Sequence, residues 1–270
     1  MQFMIMRRAN QNTEQGKLPP AIEPGIFLQP SAGGMRLLRK NGQWVEQPGP
    51  FAAKELVASL TVIEAASYED ALEQVRNWPV PDASALFEIR HAGCPGGCVG
   101  FDERGTPAGT LPRRDVNLKR YVVLIRSDDN AEADLAPPPE VIALMNQYNE
   151  AAVQAGVLLA GEGLKASRQG ARIQFANSLT SVVDGPFTEV KELIAGYWML
   201  QAESLQAAAE WAKLYPYPGG GDLTLELREV CELPDYATFT PEMRKAEQRM
   251  RALLLEAGLR SAFSSAGGGA

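Results

Sequence analysis

The feature that most constrains this chain of 270 residues is that it contains itself twice. Gly185-Pro186-Phe187 lines up with Gly49-Pro50-Phe51, and Lys191-Glu192-Leu193 falls on Lys54-Glu55-Leu56. Further on, Ala202-Glu203-Ser204 falls on Ala65-Ala66-Ser67, Pro216 on Pro79, and Glu226-Leu227-Arg228 on Glu88-Ile89-Arg90. The order is kept with single-residue slips, and each copy has the length of a domain, not of a solenoid repeat.

The second copy is the easier to read. Arg120 to Arg126 is an apolar run of buried-strand composition. Three prolines, Pro137 to Pro139, introduce a helix from about Glu140 to Ala155, whose apolar positions Val141, Leu144, Met145, Tyr148, Ala152 and Val153 share one face. Gly156 stands where a C-terminal cap belongs. Ala171 to Ala176 alternates like a half-buried strand, and Leu179 to Val183 returns beside it. After the Asp184-Gly185-Pro186 break comes a strand from Leu193 to Ala202. Ser204 caps a helix from Leu205 to Leu214, and Leu223 to Cys231 alternates as the last strand. Strand, helix, two or three strands, helix, strand is the order of a ferredoxin-like α+β domain.

The first copy is degenerate. Four prolines and four glycines between Met6 and Met35 exclude a helix like that of Glu140 to Ala155, since each interior proline costs about 3 kcal/mol. What survives is a pair of strands near Gly34 to Leu38 and Leu56 to Glu64, a helix from Tyr68 to Trp78 and a strand from Ala85 to Arg90. The chain therefore divides into a degenerate half lacking its first helix (1–92), a Gly/Pro-rich linker (93–118), a complete half (119–233) and a helical tail (234–270). That tail carries a helix from about Pro241 to Ala257 and a disordered end from Ser261.

The net charge of −7 argues against a nucleic-acid partner. No apolar run approaches the roughly 20 residues of a membrane span. Met1 to Arg8 places charge after an apolar run, the reverse of a secretory signal. Three cysteines, an odd number, fit no disulfide framework and suggest a reducing, cytoplasmic setting.

Two segments of the second copy carry a resemblance. Asp184-Gly-Pro-Phe187, followed by Thr-Glu-Val-Lys-Glu-Leu-Ile-Ala-Gly-Tyr-Trp198, resembles the DGPF branch of the YCII-related family, and Gly156-Val-Leu-Leu-Ala-Gly-Glu-Gly-Leu164 resembles its second hallmark. The resemblance spans Arg120 to Glu232. It implies the dimeric α/β-barrel arrangement, in which two ferredoxin-like sheets pack face to face. The two halves either form that pair within one chain or pair between chains through a sheet face or edge. The resemblance also implies frequent company with extracytoplasmic-function sigma factors, and it names no substrate.

Asp184 is the first candidate for chemistry. A carboxylate at the mouth of a two-sheet barrel acts as a general base when partial burial lifts its pKa, and Asp before Gly is equally a turn former. Its equivalent in the first copy is Pro48, which cannot ionise, so a chemical role for Asp184 means one site and not two. Glu162, between two glycines, reads either as a ligand-facing loop residue or as a solvated bend. With Lys165 and Arg172 it would suit a small polar or anionic substrate, with Phe187 and Lys191 as further contacts. Lys191 and Glu192 recur as Lys54 and Glu55, which favours a structural role. Relatives of this kind often carry a histidine near Lys165, which this chain lacks. His91, Cys94 and Cys98 offer three soft ligands without a standard zinc spacing, so no metal is assigned. No nucleotide-binding or serine-hydrolase motif occurs, and no cofactor is expected. Two functions follow: a cofactor-independent small-molecule enzyme using Asp184 as acid or base, or a non-catalytic module that binds a metabolite or protein.

Overall fold

The computed structural model describes residues 1–17, 25–78, 84–93, 111–176, 179–216 and 222–232, together with 245 and 249. The first copy runs β1 (Gln2–Arg8), the one-turn helix α1 (Gln11–Glu14), β2 (Ile26–Phe27), the hairpin β3 (Met35–Lys40) and β4 (Gln43–Pro48), β5 (Val57–Glu64), α2 (Tyr68–Arg76) and β6 (Leu86–His91). The second runs β7 (Lys119–Arg126), α3 (Asp129–Glu132), α4 (Pro139–Gln154), β8 (Leu158–Gly163), the hairpin β9 (Ala171–Ala176) and β10 (Leu179–Asp184), β11 (Ile194–Ala202), α5 (Leu205–Lys213) and β12 (Leu223–Glu229). Apart from Lys245 and Arg249, both helical, the expected C-terminal helix and the end of the chain lie outside the described residues.

Among the described residues these strands build two antiparallel six-stranded sheets, ordered β10-β9-β6-β1-β5-β2 and β4-β3-β12-β7-β11-β8. Without the hairpins, each sheet is a ferredoxin-like set of four with its fourth strand beside its first. The hairpins are exchanged. β3 of the first copy pairs with β12 of the second, and β9 of the second pairs with β6 of the first.

The sheets pack face to face. Met4, Met6, Leu60 and Val62 of one meet Val122, Leu124, Tyr197 and Met199 of the other. The outer face of the first sheet is covered by Ala71 and Val75 of α2, against Phe3, Ile5, Ile63, Phe87 and Ile89. The outer face of the second is covered by Tyr148 and Ala152 of α4 and by Ala208, Ala209 and Ala212 of α5. Small residues let α5 lie close to the strands. Ser67 and Ser204 cap α2 and α5, accepting from the amides of Asp70 and Ala207 at 3.1 Å each.

The sheet edges are stitched together as well. Leu28 bridges Val230 and Ala92 bridges Leu164. Cys231 N donates to Phe27 O at 2.8 Å, and Lys165 N to His91 O at 3.0 Å. The eight central strands thus close into a barrel inside one chain, which removes their open edges. Leu124→Ala, in the fully buried inter-sheet core, is expected to cost about 2–5 kcal/mol in urea unfolding.

Four strands differ from the reading of the sequence. β1 was read only as an unlikely signal; six of its seven residues are buried, because a central strand covered on both faces shows no alternation. β2 and β4 were not foreseen. Gly161-Glu162-Gly163 is no loop but the end of β8, paired with Trp198, Tyr197 and Gly196. Its first glycine makes room for the Trp198 ring, which a Cβ there would meet at 2.6 Å. In the first copy, α1 with its Asn10 cap corresponds to α3 with its Asp128 cap. Only 11 residues separate Glu14 from Ile26, where 25 separate Glu132 from Leu158. A counterpart of the 16-residue α4 does not fit in that span.

Candidate functional site

The repeated features are the ones that hold the fold. Glu226, fully buried on β12, accepts from Arg36 Nε at 3.1 Å, from Arg228 Nη1 at 3.4 Å and from Arg126 Nη2. Glu88, fully buried on β6, accepts from Arg172 Nε and Arg90 Nη1 at 3.1 Å each. Arg228 continues to Glu14 at 3.0 Å and Arg90 to Glu132 at 3.4 Å. Those glutamates accept from the amides of Ser31 (2.8 Å) and Ser167 (2.9 Å). The two serine hydroxyls in turn accept from the amides of Phe51 (3.0 Å) and Phe187 (3.2 Å). Arg36 lies over the Phe51 ring at 4.2 Å, and Arg172 over Phe187 at 4.1 Å. Each chain of contacts locks an exchanged hairpin to its host sheet. Present twice, it reads as structure.

Arg172 and Phe187, expected as substrate contacts, both take part in one of these locks. Glu162 also moves. It pairs with Tyr197 and so shares the inter-sheet face with Met199 and Ala160, half-buried, with the Gly163 amide donating to its Oε1 at 3.1 Å. Asp184 is on the opposite side of the wall. It pairs with Ala171 on the face of Ile173 and Val182, the face that α2 covers. Asp184 and Glu162 therefore do not line one cleft. The strand of Asp184, β10, is the exposed edge of the first sheet. The side chain of Lys191, and Cys94 and Cys98, lie outside the described residues. Among those described no cluster of metal-ligating side chains forms.

What gathers around Asp184 comes from the other copy. Tyr68, the first residue of α2, donates its hydroxyl to Asp184 Oδ1 at 3.1 Å. The Tyr68 ring stacks on the His91 imidazole, with centroids 6.0 Å apart and planes at 16°, and Phe3 lies 4.3 Å from His91. Lys165 adjoins this group, its amide bonded to the His91 carbonyl and its chain passing beside Gly93. Burial pushes the Tyr68 phenol up, and the bond to Asp184 adds to it, so the phenol keeps its proton. Burial pushes the His91 imidazole down, helped by the N-terminal ammonium and Lys165, so it is neutral at pH 7. A carboxylate, a phenol and a neutral imidazole can accept, donate and exchange a proton.

Tyr68 was missed, and His91 was weighed only as a metal ligand with Cys94 and Cys98. The signal was in the repeat: Tyr68 falls on Leu205 after its capping serine, His91 on Glu229, and Asp184 on Pro48. None of the three is repeated.

Fold and side chains together define an α+β protein of two ferredoxin-like sheets closed into one barrel. Its residues 120–233 match the model of the YCII-related domain. Among curated proteins none matches the chain. No helix among the described residues is long and apolar enough to cross a membrane.

Proposed function

We propose that the chain is a cofactor-independent small-molecule protein with one acid–base site, formed by Asp184, Tyr68 and His91 with Lys165 alongside. The observation that carries this is the Tyr68–Asp184 bond, made between the two copies and matched by Leu205 and Pro48 at the equivalent place. In this reading Asp184 accepts a proton from a small polar substrate. Tyr68 orients the carboxylate, and His91 supplies the second proton-transfer group. The exposure of Asp184 favours a second reading, a non-catalytic module in which the same residues recognise a metabolite or protein. The sigma-factor association implied by the family likeness suits that reading.

The test is a thermal-shift screen of small acids, lactones and amines on wild type, Asp184→Asn and Tyr68→Phe. A ligand at a hundred times its dissociation constant adds about 2.7 kcal/mol. Both substitutions fall on a solvent-exposed bond and are expected to cost under about 1 kcal/mol by themselves. A compound that shifts wild type and neither variant places the site. One that shifts all three equally removes Asp184 from it. If that compound is also turned over, the rate should fall as pH drops through a value below the ordinary 6.5 of histidine, where His91 takes up its proton. Binding without turnover selects the module.

A further inference from the structure

One pair of equivalent arginines is treated differently in the two copies. Arg8 at the end of β1 and Arg126 at the end of β7 are each 6% exposed. They lie side by side, their Nη1 atoms donating to one carbonyl oxygen, that of Glu192, at 3.3 and 3.1 Å. Arg126 also donates to Glu55 O at 2.8 Å, and its Nη2 meets the Glu226 carboxylate. Arg8 has only a second carbonyl, Lys54 O at 3.0 Å. Among the described residues no carboxylate lies within ion-pair distance of it. Glu88, the counterpart of Glu226, is already engaged by Arg90 and Arg172.

A guanidinium withdrawn from water and met only by neutral dipoles, with a second guanidinium beside it, lacks the counter-charge that burial demands. Desolvation lowers the Arg8 pKa; the more distant Glu88 and Glu192 carboxylates oppose this, while Arg172 and Arg126 reinforce it. The planar fork of donors on Arg8 matches a carboxylate or a phosphate. Arg172 adds a buried Nη2 with no well-aligned acceptor, although the Glu88 carboxylate is 3.1 Å away.

We propose that Arg8 anchors a binding site for a small oxyanion, a carboxylate or a phosphate, where the arginines of the two copies converge. The site is single, because Glu226 already fills the equivalent place beside Arg126. It lies inside the barrel wall, apart from the Asp184 group on the outer face, and does not depend on it.

The experiment is a melting series in sodium chloride, inorganic phosphate and malonate at matched ionic strength and pH 7, with calorimetric titration for stoichiometry. It uses the full chain as wild type, Arg8→Met and Arg8→Lys. Wild type is expected to gain about 5 °C when the oxyanion exceeds its dissociation constant a hundredfold, at one per chain. Arg8→Met is expected to lose that gain and to melt no lower than wild type in chloride, because it removes an unpaired buried charge. A structural tie would instead melt lower. Arg8→Lys, which keeps the charge without the fork, should retain part of the gain. A response to phosphate alone or to malonate alone supports the site and names its oxyanion. No gain over chloride in wild type overturns the proposal, whether or not the variants fold. A full gain in folded Arg8→Met overturns it equally.

Discussion

Glu226→Gln is expected to lower stability by about 3–5 kcal/mol at pH 7, read from the midpoint of urea unfolding. The carboxylate is fully buried and serves three guanidinium groups, those of Arg36, Arg126 and Arg228. Removing its charge leaves all three inside the barrel wall without their common counter-ion. Arg36 retains Glu55 at 3.0 Å and Arg228 retains Glu14 at 3.0 Å, but Arg126 is left with carbonyls alone. Glu88→Gln strips two arginines instead of three and should cost less. An equal loss in the two variants would show that Arg126 gains nothing from Glu226. The pH dependence has a definite sign. Burial alone would push the Glu226 carboxyl up, yet Arg126, Arg228 and Arg36 together hold it below the ordinary 4.5 of glutamate. Its contribution is therefore fully present above that value and is lost as pH falls through the lower, folded one. Glu226→Gln should show a correspondingly shallower loss of stability below pH 4.5.

Gly185→Ala is expected to be almost as damaging, about 3 kcal/mol or more, and Gly49→Ala likewise. A Cβ on Gly185 would collide with the backbone carbonyl of Ser167, and one on Gly49 with that of Ser31. Neither obstacle is a side chain that can swing away. Gly185 N donates to Gly170 O at 2.9 Å, and Ser167 N is held by Glu132 at 2.9 Å. Backing off therefore pulls on the lock that joins Glu132 to Arg90. Gly33→Ala is the control: nothing lies within 4 Å of its Cβ position, and its effect should stay within about 0.5 kcal/mol. Thermal or urea unfolding of the three variants decides the matter. A mild Gly185→Ala would mean that this turn can shift as a unit.

The elements that could be read in the sequence are those whose two faces differ in polarity, even where, as in β12, the polar face is buried. β9 and β12 alternate; α2 and α5 announce themselves by Ser67 and Ser204. β1 was hidden because two apolar faces erase the period of two, and β8 because Gly161 and Gly163 imitate a bend while Gly161 makes room for the Trp198 ring. The aligned segments Glu226-Leu227-Arg228 and Glu88-Ile89-Arg90 lie on the strands that host the exchanged hairpins. The exchange itself left no local trace. Asp184 stood out by its turn, but a reading along the chain assigned it neighbours from its own copy. The hairpin carries it instead to Tyr68 and His91. What linear order cannot supply is the partner of an edge strand, since pairing is chosen by faces that meet only after both sheets exist.

The exchanged hairpins also set a timetable for the nascent chain. The bond from Arg36 to Glu226 spans 190 residues, so at about 5–20 residues per second the β3–β4 hairpin waits roughly 10–40 s for its host strand. From its own residues the N-terminal half supplies only four strands of its sheet, and β9 and β10 are added once Asp184 has been made. The β3–β4 hairpin meanwhile lacks a host strand, with Leu37 uncovered and the Arg36 guanidinium keeping Glu55 but lacking Glu226. β12, the last of the described strands, is thus the one that secures the β3–β4 hairpin. Synthesis interrupted between Asp184 and Leu223 would leave the first sheet with all its strands and the second without β12, offering bare edges to another chain.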